Sequence, residues 1–279
     1  MQPQHPTISC RAWHFRKQSV TLVPEFDEES NSMRGYVGGA VALCAVAGAV
    51  LLGSSQVEAQ GSRNPSPYQS RTEAFAQASK LEIDGAFKVL VMSGVSERSV
   101  GLSGPPELLA DVETRVENGV LKIGFRKGAD WSWNPGSGMN VVVNMPVLEG
   151  IETRGPAQVE AIALQARVPD FAAAVNGAGS ITVQKLVADR VQLAVGGAGS
   201  VRADGKAGDV AYSVGGAGSI DAKRLRAASG AISLGGSGSV FADISGAADI
   251  NVGGPGTVEV VGGATCTTRA PRPSQVECR

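Results

Sequence analysis

The sequence predicts an all-β protein and, more narrowly, a right-handed parallel β-helix: a solenoid with one rung about every 20 residues. Three observations indicate this fold. Glycine is abundant, a glycine-centred element recurs at nearly constant spacing, and apolar and polar residues alternate strictly on both sides of it. Glycine contributes 37 of the 279 residues, whereas aromatic residues reach only 5%. An aliphatic chain punctuated by glycine is typical of short strands joined by tight corners.

Composition also excludes several classes of protein. The 25 basic and 26 acidic residues give a net charge of −1, so the chain lacks the basic surplus of a nucleic-acid-binding domain. Apolar residues make up 43% of the chain, which is too many for a disordered polyelectrolyte. The glycines do not recur at every third position, as collagen requires.

Residues 33–59 have the pattern of a secretory signal peptide. Arg34 precedes an apolar run over residues 37–52, and small residues before Gln60 predict cleavage after Ala59. The apolar run is shorter than the roughly 20 residues of a transmembrane helix. We therefore expect an exported protein, with residues 1–32 as an upstream extension before a true start at Met33.

Cleavage after Ala59 would change the chemistry that the chain can perform. Both histidines, His5 and His14, would be absent from the processed chain. Catalysis by a Ser-His-Asp or Cys-His set is then excluded, as are histidine-based metal sites. Residues 60–79 are polar and contain two prolines, which predicts a flexible linker.

The repeated element reads Gly-Ala-Gly-Ser-Ile or a close variant, and each copy predicts one corner of the solenoid. Its leading glycines are Gly155, Gly177, Gly197, Gly216, Gly236 and Gly254, spaced 22, 20, 19, 20 and 18 residues apart. Repeats of this length indicate stacked solenoid turns. Glycine suits such corners because they need either positive φ or a close approach between stacked backbones. Ala188 lies between two alternating segments, so we expect it at a solvent-facing turn.

Residues 80–150 alternate less regularly and are expected to begin the solenoid and to cover its open end. The segments 80–92, 113–125 and 139–145 read as strands, and Asn118-Gly119 predicts a hairpin turn. The predicted solenoid domain therefore covers residues 80–262, with the regular repeats at 155–258.

Together these features resemble the GIN-domain family, the proposed head domains of bacterial auto-transporter adhesins. The motifs that carry the resemblance are Phe87-x-Val89-x-Val91, Gly119-Val-Leu-x-Ile123, Val141-x-Val143-x-Met145-Pro146, Leu148-x-x-Ile151 and the train of glycine units. The resemblance covers about residues 80–262. It implies an exported bacterial β-solenoid with a structural or adhesive role in the envelope, and it supplies no catalytic residue.

The alternative function is a carbohydrate-active β-helix enzyme, a polysaccharide lyase or hydrolase, which needs paired carboxylates on neighbouring rungs. The candidates are Asp170, Asp189, Asp204, Asp209, Asp221, Asp243 and Asp249. Only Asp204 and Asp243 share an offset from their leading glycine, and they lie two rungs apart. We interpret these residues as corner and turn positions. The sequence predicts no enzyme, cofactor or metal site.

Trp131 and Trp133 stand in a loop rich in turn-forming residues, two positions apart. On an extended segment both would face one side, and exposed aromatic side chains form platforms for sugars or proteins. The same side chains could instead cover the open end of the solenoid. We expect the partner to be an envelope polysaccharide or protein and not a nucleic acid. The protein is expected in the periplasm or at the cell surface, without a permanent membrane span.

The tail, residues 263–279, loses the alternation and contains two prolines, so no further strand is expected there. Cys266 and Cys278 would be the only cysteines left after cleavage. In an exported chain such a pair predicts a disulfide. Zinc is the competing interpretation, but two thiolates without histidine cannot complete a four-ligand site within one chain.

Overall fold

A computed structural model describes residues 68–128, 138–272 and 275–279, which form a β-solenoid with one short helix. The first part contains β1 (Gln69–Ala74), β2 (Lys80–Asp84), β3 (Phe87–Ser93), β4 (Ser99–Gly104), α1 (Pro106–Leu109), β5 (Val112–Glu117), β6 (Val120–Phe125), β7 (Met139–Met145), β8 (Gly150–Arg154) and β9 (Gln158–Ala163). The second part contains β10 (Val168–Asn176), β11 (Ser180–Val195), β12 (Ser200–Val214), β13 (Ser219–Leu234), β14 (Ser239–Ile244), β15 (Ala247–Val252), β16 (Thr257–Val261), β17 (Thr265–Arg269) and β18 (Val276–Cys278).

The solenoid has three faces, each a parallel sheet of stacked strand segments. The first face precedes the glycine corners and runs in the order β6, β2, β8, β10, β11, β12, β13, β15, β17. The second face follows the corners in the order β7, β3, β9, β11, β12, β13, β14, β16, β18. The third face is short and joins Ala188, Ala207 and Ala227 in register. The strands β11, β12 and β13 are long because they continue around two corners.

Inward-pointing side chains of the alternating segments form the core. On the first face Val195, Val214, Leu234 and Val252 stand in register, and each is at most 2% exposed. Serines stand in register where the second face begins, at Ser180, Ser200, Ser219 and Ser239. The alternation in the sequence therefore corresponds to one buried and one outward row on each face.

The repeated glycines pass close over one another at the corner between the first and second faces. A Cβ atom on Gly216 would lie 2.2 Å from the carbonyl oxygen of Gly197 in the turn below. Gly216 has no positive φ, so close approach of stacked backbones, and not an unusual backbone conformation, requires glycine there.

Residues 80–145 begin the solenoid and cover its end, in an order that the sequence does not reveal. The turn built by β6 and β7 lies outside the turn built by β2 and β3, although it comes later in the chain. Beyond it, β4, β1 and β5 pair antiparallel and close the stack. The hairpin at Asn118-Gly119 is confirmed, because both residues have positive φ and join the antiparallel strands β5 and β6.

Part of the segment predicted as a flexible linker is a strand. β1 falls within residues 60–79 and pairs antiparallel with β4. It lacks apolar alternation because it is an edge strand, held by backbone hydrogen bonds and by Arg71. The Arg71 guanidinium donates to the carbonyl oxygens of Leu109, at 3.0 Å, and of Val112, at 2.5 Å.

The prediction that no strand follows Val261 is also wrong. β17 extends the first face and β18 extends the second face. These strands form the last turn among the described residues, and no further described turn covers them. An inward apolar row in β17 and β18 would have little to pack against, which is why the strands lack apolar alternation. Pro271 follows the end of β17 and does not interrupt it, and Pro273 lies outside the described residues.

We expected Ala188 to face solvent because it lies between alternating segments, but this prediction is wrong. It lies in the third face and is 1% exposed. A third face only a few residues wide shows too little alternation to be recognised in the sequence.

Candidate binding surface

The outward side of the first face is a flat surface of small side chains. We call the outward residues of β10, β11, β12, β13, β15 and β17 on this face the flat surface. They are Ala172, Ala174, Gln192, Ala194, Ala211, Ser213, Ala231, Ser233, Asp249, Asn251, Thr267 and Arg269. The strand period of two places them outward, because the residues between them fill the core.

The stacking order makes this surface both flat and long. Gln192, Ala211, Ala231 and Asp249 follow one another in register, and a second row carries Ser213 and Ser233. Alanine and serine project little beyond Cβ, so a ligand can approach the sheet backbone closely. With strands about 4.8 Å apart, the surface is an elongated track that suits an extended ligand.

A shallow depression of about 400 Å³ runs along this track from β11 to β17. Its polar lining includes Gln192, Ser213, Ser233 and Asn251. These amides and hydroxyls both donate and accept hydrogen bonds. The depression therefore combines apolar sheet surface with neutral polar groups.

Charge is confined to the β15 and β17 end of the depression. Asp249 and Arg269 line it there. Neither belongs to an ion pair among the residues that the structure describes. Their charged groups remain available to a ligand.

The other candidate aspartates have partners on neighbouring turns. Asp170 accepts from Arg190 at 2.7 Å, and this hydrogen bond raises the pKa of Arg190. Asp189 pairs with Arg167, Asp221 lies 3.1 Å from the Arg202 guanidinium, and Asp209 accepts from Ser229 at 2.8 Å. These carboxylates link stacked turns to one another from within β10, β11, β12 and β13, whereas we interpreted them from the sequence as corner and turn positions.

Asp204 and Asp243, the pair at a shared offset, also have cationic partners. Asp204 accepts from the backbone N–H of Lys185 at 2.7 Å and lies 3.6 Å from Arg224. Asp243 lies 3.9 Å from Arg226. Each carboxylate is therefore bound to its own arginine.

The outer side of the second face carries a ladder of compensated charges near its end. Glu259 lies 2.9 Å from the Lys223 ammonium and also pairs with Arg279. The hydrogen bond from Lys223, followed by that from Arg279, lowers the pKa of Glu259. Lys223 in addition stands 4.5 Å from the centre of the Phe241 ring. Since these charges neutralise one another, this ladder is a poorer ligand surface than the first face.

The disulfide between Cys266 and Cys278 is confirmed, with the two Cα atoms 6.5 Å apart. Cys266 stands in register with Ala248, and Cys278 stands in register with Val260. Both partners are inward core positions, so the disulfide crosses the end of the core and joins the first face to the second in the last turn.

Gln275 completes the same turn and was not singled out in the sequence. Its side chain is 7% exposed, and its amide nitrogen donates to the carbonyl oxygens of Gly254 at 2.9 Å and Gly256 at 3.1 Å. In earlier turns such oxygens accept backbone N–H groups from the next corner, as Gly177 does from Ala198. Gln275 therefore takes the place of a further turn.

Trp131 and Trp133 lie outside the described residues, so their alternative roles stay predictions. Among the residues that the structure does describe, no group of three or more His, Cys, Asp or Glu side chains could hold a metal ion. Over those same residues, no helix has the length and apolar character needed to cross a membrane.

The fold defines an all-β solenoid protein whose outer faces are ladders of stacked side chains. Within that class, the chain belongs to the family described as "putative auto-transporter adhesin, head GIN domain", whose model matches residues 49–264. No match to the chain is found among curated proteins.

Solved structures share the fold at low sequence identity. A putative adhesin from Bacteroides fragilis is 18% identical with a TM-score of 0.65, over 73% of this chain and 94% of its own. A putative adhesin from Parabacteroides distasonis is 20% identical with a TM-score of 0.56, over 76% and 97%. A putative lipid binding protein from the same species is 15% identical with a TM-score of 0.59, over 77% and 98%. None of these three is described as an enzyme.

The flat surface was not predicted from the sequence. The signal was present in the residues that alternate with the core positions before each glycine corner. In β10, β12 and β13 those residues are alanine and serine almost without exception. Alternation alone identifies the buried row, whereas the small residues of the outward row identify the flat surface.

Proposed function

We propose that this protein is an exported, non-catalytic adhesive solenoid of the bacterial envelope that binds a polysaccharide along the flat surface. The observation that carries the proposal is the flat surface itself, an elongated row of small side chains with neutral hydrogen-bonding groups beside them. A hydroxyl-rich chain can lie along such a track and pair with Gln192, Ser213 and Asn251 without having to compensate a buried charge.

Several independent features support export. The leader at residues 33–59 has the pattern of a signal peptide, and the family is described as an adhesin head. The disulfide between Cys266 and Cys278 suits an oxidising compartment such as the periplasm or the cell surface. We propose cleavage after Ala59, so that the processed chain carries the solenoid strands from β1 to β18.

The arrangement of carboxylates supports a role in binding and not in catalysis. Glycoside cleavage needs two carboxyl groups facing one substrate bond. Five of the candidate aspartates instead face arginines on adjacent turns, and Asp209 accepts a hydrogen bond from Ser229. The flat surface carries a single aspartate, Asp249.

Lipid binding is the second candidate, because one structure of the same fold is described as a putative lipid binding protein. Acyl chains are held best in enclosed apolar cavities. Here packed side chains fill the solenoid interior, and the depression on the first face is shallow. We therefore favour the polysaccharide.

Binding should be measured with the processed chain on an array of purified, lipid-free bacterial envelope polysaccharides and, in parallel, on phosphatidylethanolamine–phosphatidylglycerol vesicles. A variant with Gln192→Lys and Ser213→Lys places two long side chains on the flat surface and should lower polysaccharide binding at least tenfold. The matched control has Gln158→Lys and Ser180→Lys, which places the same changes on the second face and should bind normally. Equal loss in both variants, binding to vesicles alone, or no polysaccharide bound by the unmodified protein would refute the proposal.

A further inference from the structure

The two ends of the solenoid differ in what their edges expose. At the end closed by β1 and β5, the outward residues of β5 are Glu113, Arg115 and Glu117. Arg115 lies 2.9 Å from Glu117 and 3.8 Å from Glu113. Charged residues on an edge strand oppose pairing with another chain, so this end is protected.

The first face ends at β17 without such protection. Within the described part of the chain, β17 pairs with β15 alone. The N–H of Thr265 donates to the carbonyl oxygen of Gly246 at 2.8 Å, so alternate residues from Thr265 direct their backbone groups toward β15. The N–H and C=O groups of Cys266 and Thr268 therefore point away from the sheet.

The side chains of this edge permit pairing. β17 reads Thr-Cys-Thr-Thr-Arg, with its only charge at the last position. The disulfide ties Cys266 to Cys278 on β18, so the edge is held in an extended conformation before any partner arrives. An ordered, largely uncharged edge favours the addition of a strand.

We propose that two copies of this chain associate through their β17 edges, which pair antiparallel about Thr267. In that register Cys266 of one copy stands opposite Thr268 of the other, so their outward backbone groups exchange hydrogen bonds. The two Thr267 side chains meet at a non-hydrogen-bonded position, where cross-strand threonine pairs are favourable. Each Arg269 stands opposite a Thr265, so no like charges oppose one another. The contact uses the β17 edge of each copy, so the assembly stops at a symmetric dimer.

The dimer would also change the binding surface, a consequence that rests on the proposed function. A two-fold axis through an antiparallel strand pair is perpendicular to the sheet, so the outward sides of both first faces point the same way. The two flat surfaces then form one track of twice the length. Avidity for a long polysaccharide would rise without any new contact to the sugar.

Sedimentation equilibrium of the processed, disulfide-bonded chain over a range of concentrations tests the association. We expect a concentration-dependent dimer. Thr268→Pro removes the outward N–H without breaking a hydrogen bond to β15, so it should weaken the dimer at least tenfold. The matched control Thr268→Ala keeps this N–H and should still dimerise. A monomeric unmodified chain, a dimer that survives Thr268→Pro, or equal loss in Thr268→Ala would overturn the proposal.

Thr268→Pro could also disturb the last turn, and titratable thiols in unreduced protein would reveal this. A second variant tests the dimer without that risk. Thr267→Lys keeps every backbone group and opposes two like charges across the axis, so it should also give a monomer. A dimer unaffected by this change would refute the register. Polysaccharide binding by the monomeric Thr268→Pro variant distinguishes the two proposals, because Thr268 is not part of the flat surface. Retained binding with reduced avidity supports both proposals, and binding by an unmodified chain that stays monomeric refutes the dimer alone.

Discussion

At the scale of single residues, the corner glycines show a requirement set by the neighbouring turn. Gly215 and Gly216 are adjacent, yet only at Gly216 would an added Cβ atom meet the backbone of the turn below. Gly216→Ala would place Cβ 2.2 Å from the Gly197 carbonyl oxygen and should lower the free energy of unfolding by about 2 kcal/mol or more. Gly215→Ala meets no atom within 4 Å and should change it by less than about 0.5 kcal/mol. Urea denaturation of both variants measures the difference, and equal losses would contradict the stacking.

Acid should weaken the contact of Glu259 with Lys223 and Arg279. These partners lower the pKa of Glu259 below its ordinary value of 4.5, so the ionised carboxylate stabilises the folded state at neutral pH. That stabilisation is present above the unfolded pKa and is lost as the pH falls through the lower folded value. The Tm of the unmodified protein should exceed that of Glu259→Gln at pH 7, and the gap should close below about pH 4.

Glu277 supplies the matched control for this pH dependence. It is 61% exposed and 3.5 Å from Arg279, so Glu277→Gln should change the Tm little at any pH. A gap between the unmodified protein and Glu259→Gln that stayed constant with pH would show that the carboxylate charge is not the cause.

At the scale of elements, the last turn depends on a covalent link because its strands are short. β18 has three residues, and the disulfide holds it to β17 across 12 positions of the sequence. Replacing both cysteines with serine should lower the free energy of unfolding by roughly 2–3 kcal/mol. Hydrogen exchange should accelerate first in β17 and β18, because solenoid turns contact only their neighbours.

Thiol titration provides the check on this link. Denatured, unreduced protein isolated after export should show no free thiol, and reduction should release those of Cys266 and Cys278. Free thiols before reduction would mean that the last turn forms without the bond.

Gln275 should stabilise the same turn through its two carbonyl partners. Gln275→Met keeps the length of the side chain but leaves the oxygens of Gly254 and Gly256 without their donor. The expected loss in the free energy of unfolding is about 1–3 kcal/mol. Gln158→Met, the same change at an exposed position on the second face, should cost almost nothing in the same urea titration. If both variants lost the same stability, Gln275 would not be acting as a substitute turn.

At the scale of the whole molecule, the prediction concerns how the leader is processed if the protein is exported as proposed. We predict that N-terminal sequencing of the exported protein begins at Gln60. The apolar run at residues 37–52 and the small residues before position 60 supply the physical signal for cleavage there. Residues 1–32 should be absent even from the unprocessed precursor made from its own promoter. Recovery of those residues would refute the proposed start at Met33, and an intact leader on the exported chain would refute cleavage.

The sequence by itself determined the features that depend on local pattern. Alternation before and after Gly197 or Gly216 identifies the buried rows, because a strand with one buried face has an apolar residue at every second position. The spacing of the glycines determines the solenoid repeat, and the paired Cys266 and Cys278 predict the disulfide. Asn118-Gly119 predicts the hairpin because few residues adopt two consecutive positive φ values.

Only the tertiary structure decided which strands become neighbours. The placement of β6 and β7 outside β2 and β3 depends on pairing between distant segments, which no local period records. β1, β17 and β18 were missed because edge strands are held by backbone hydrogen bonds and need no apolar row. Ala188 was misplaced because its face is too short to show a period. The flat surface exists only once the turns stack, since it is built from residues that are about one solenoid turn apart in sequence and adjacent in space. The open β17 edge is likewise decided by pairing, because β17 pairs with β15 alone among the described strands.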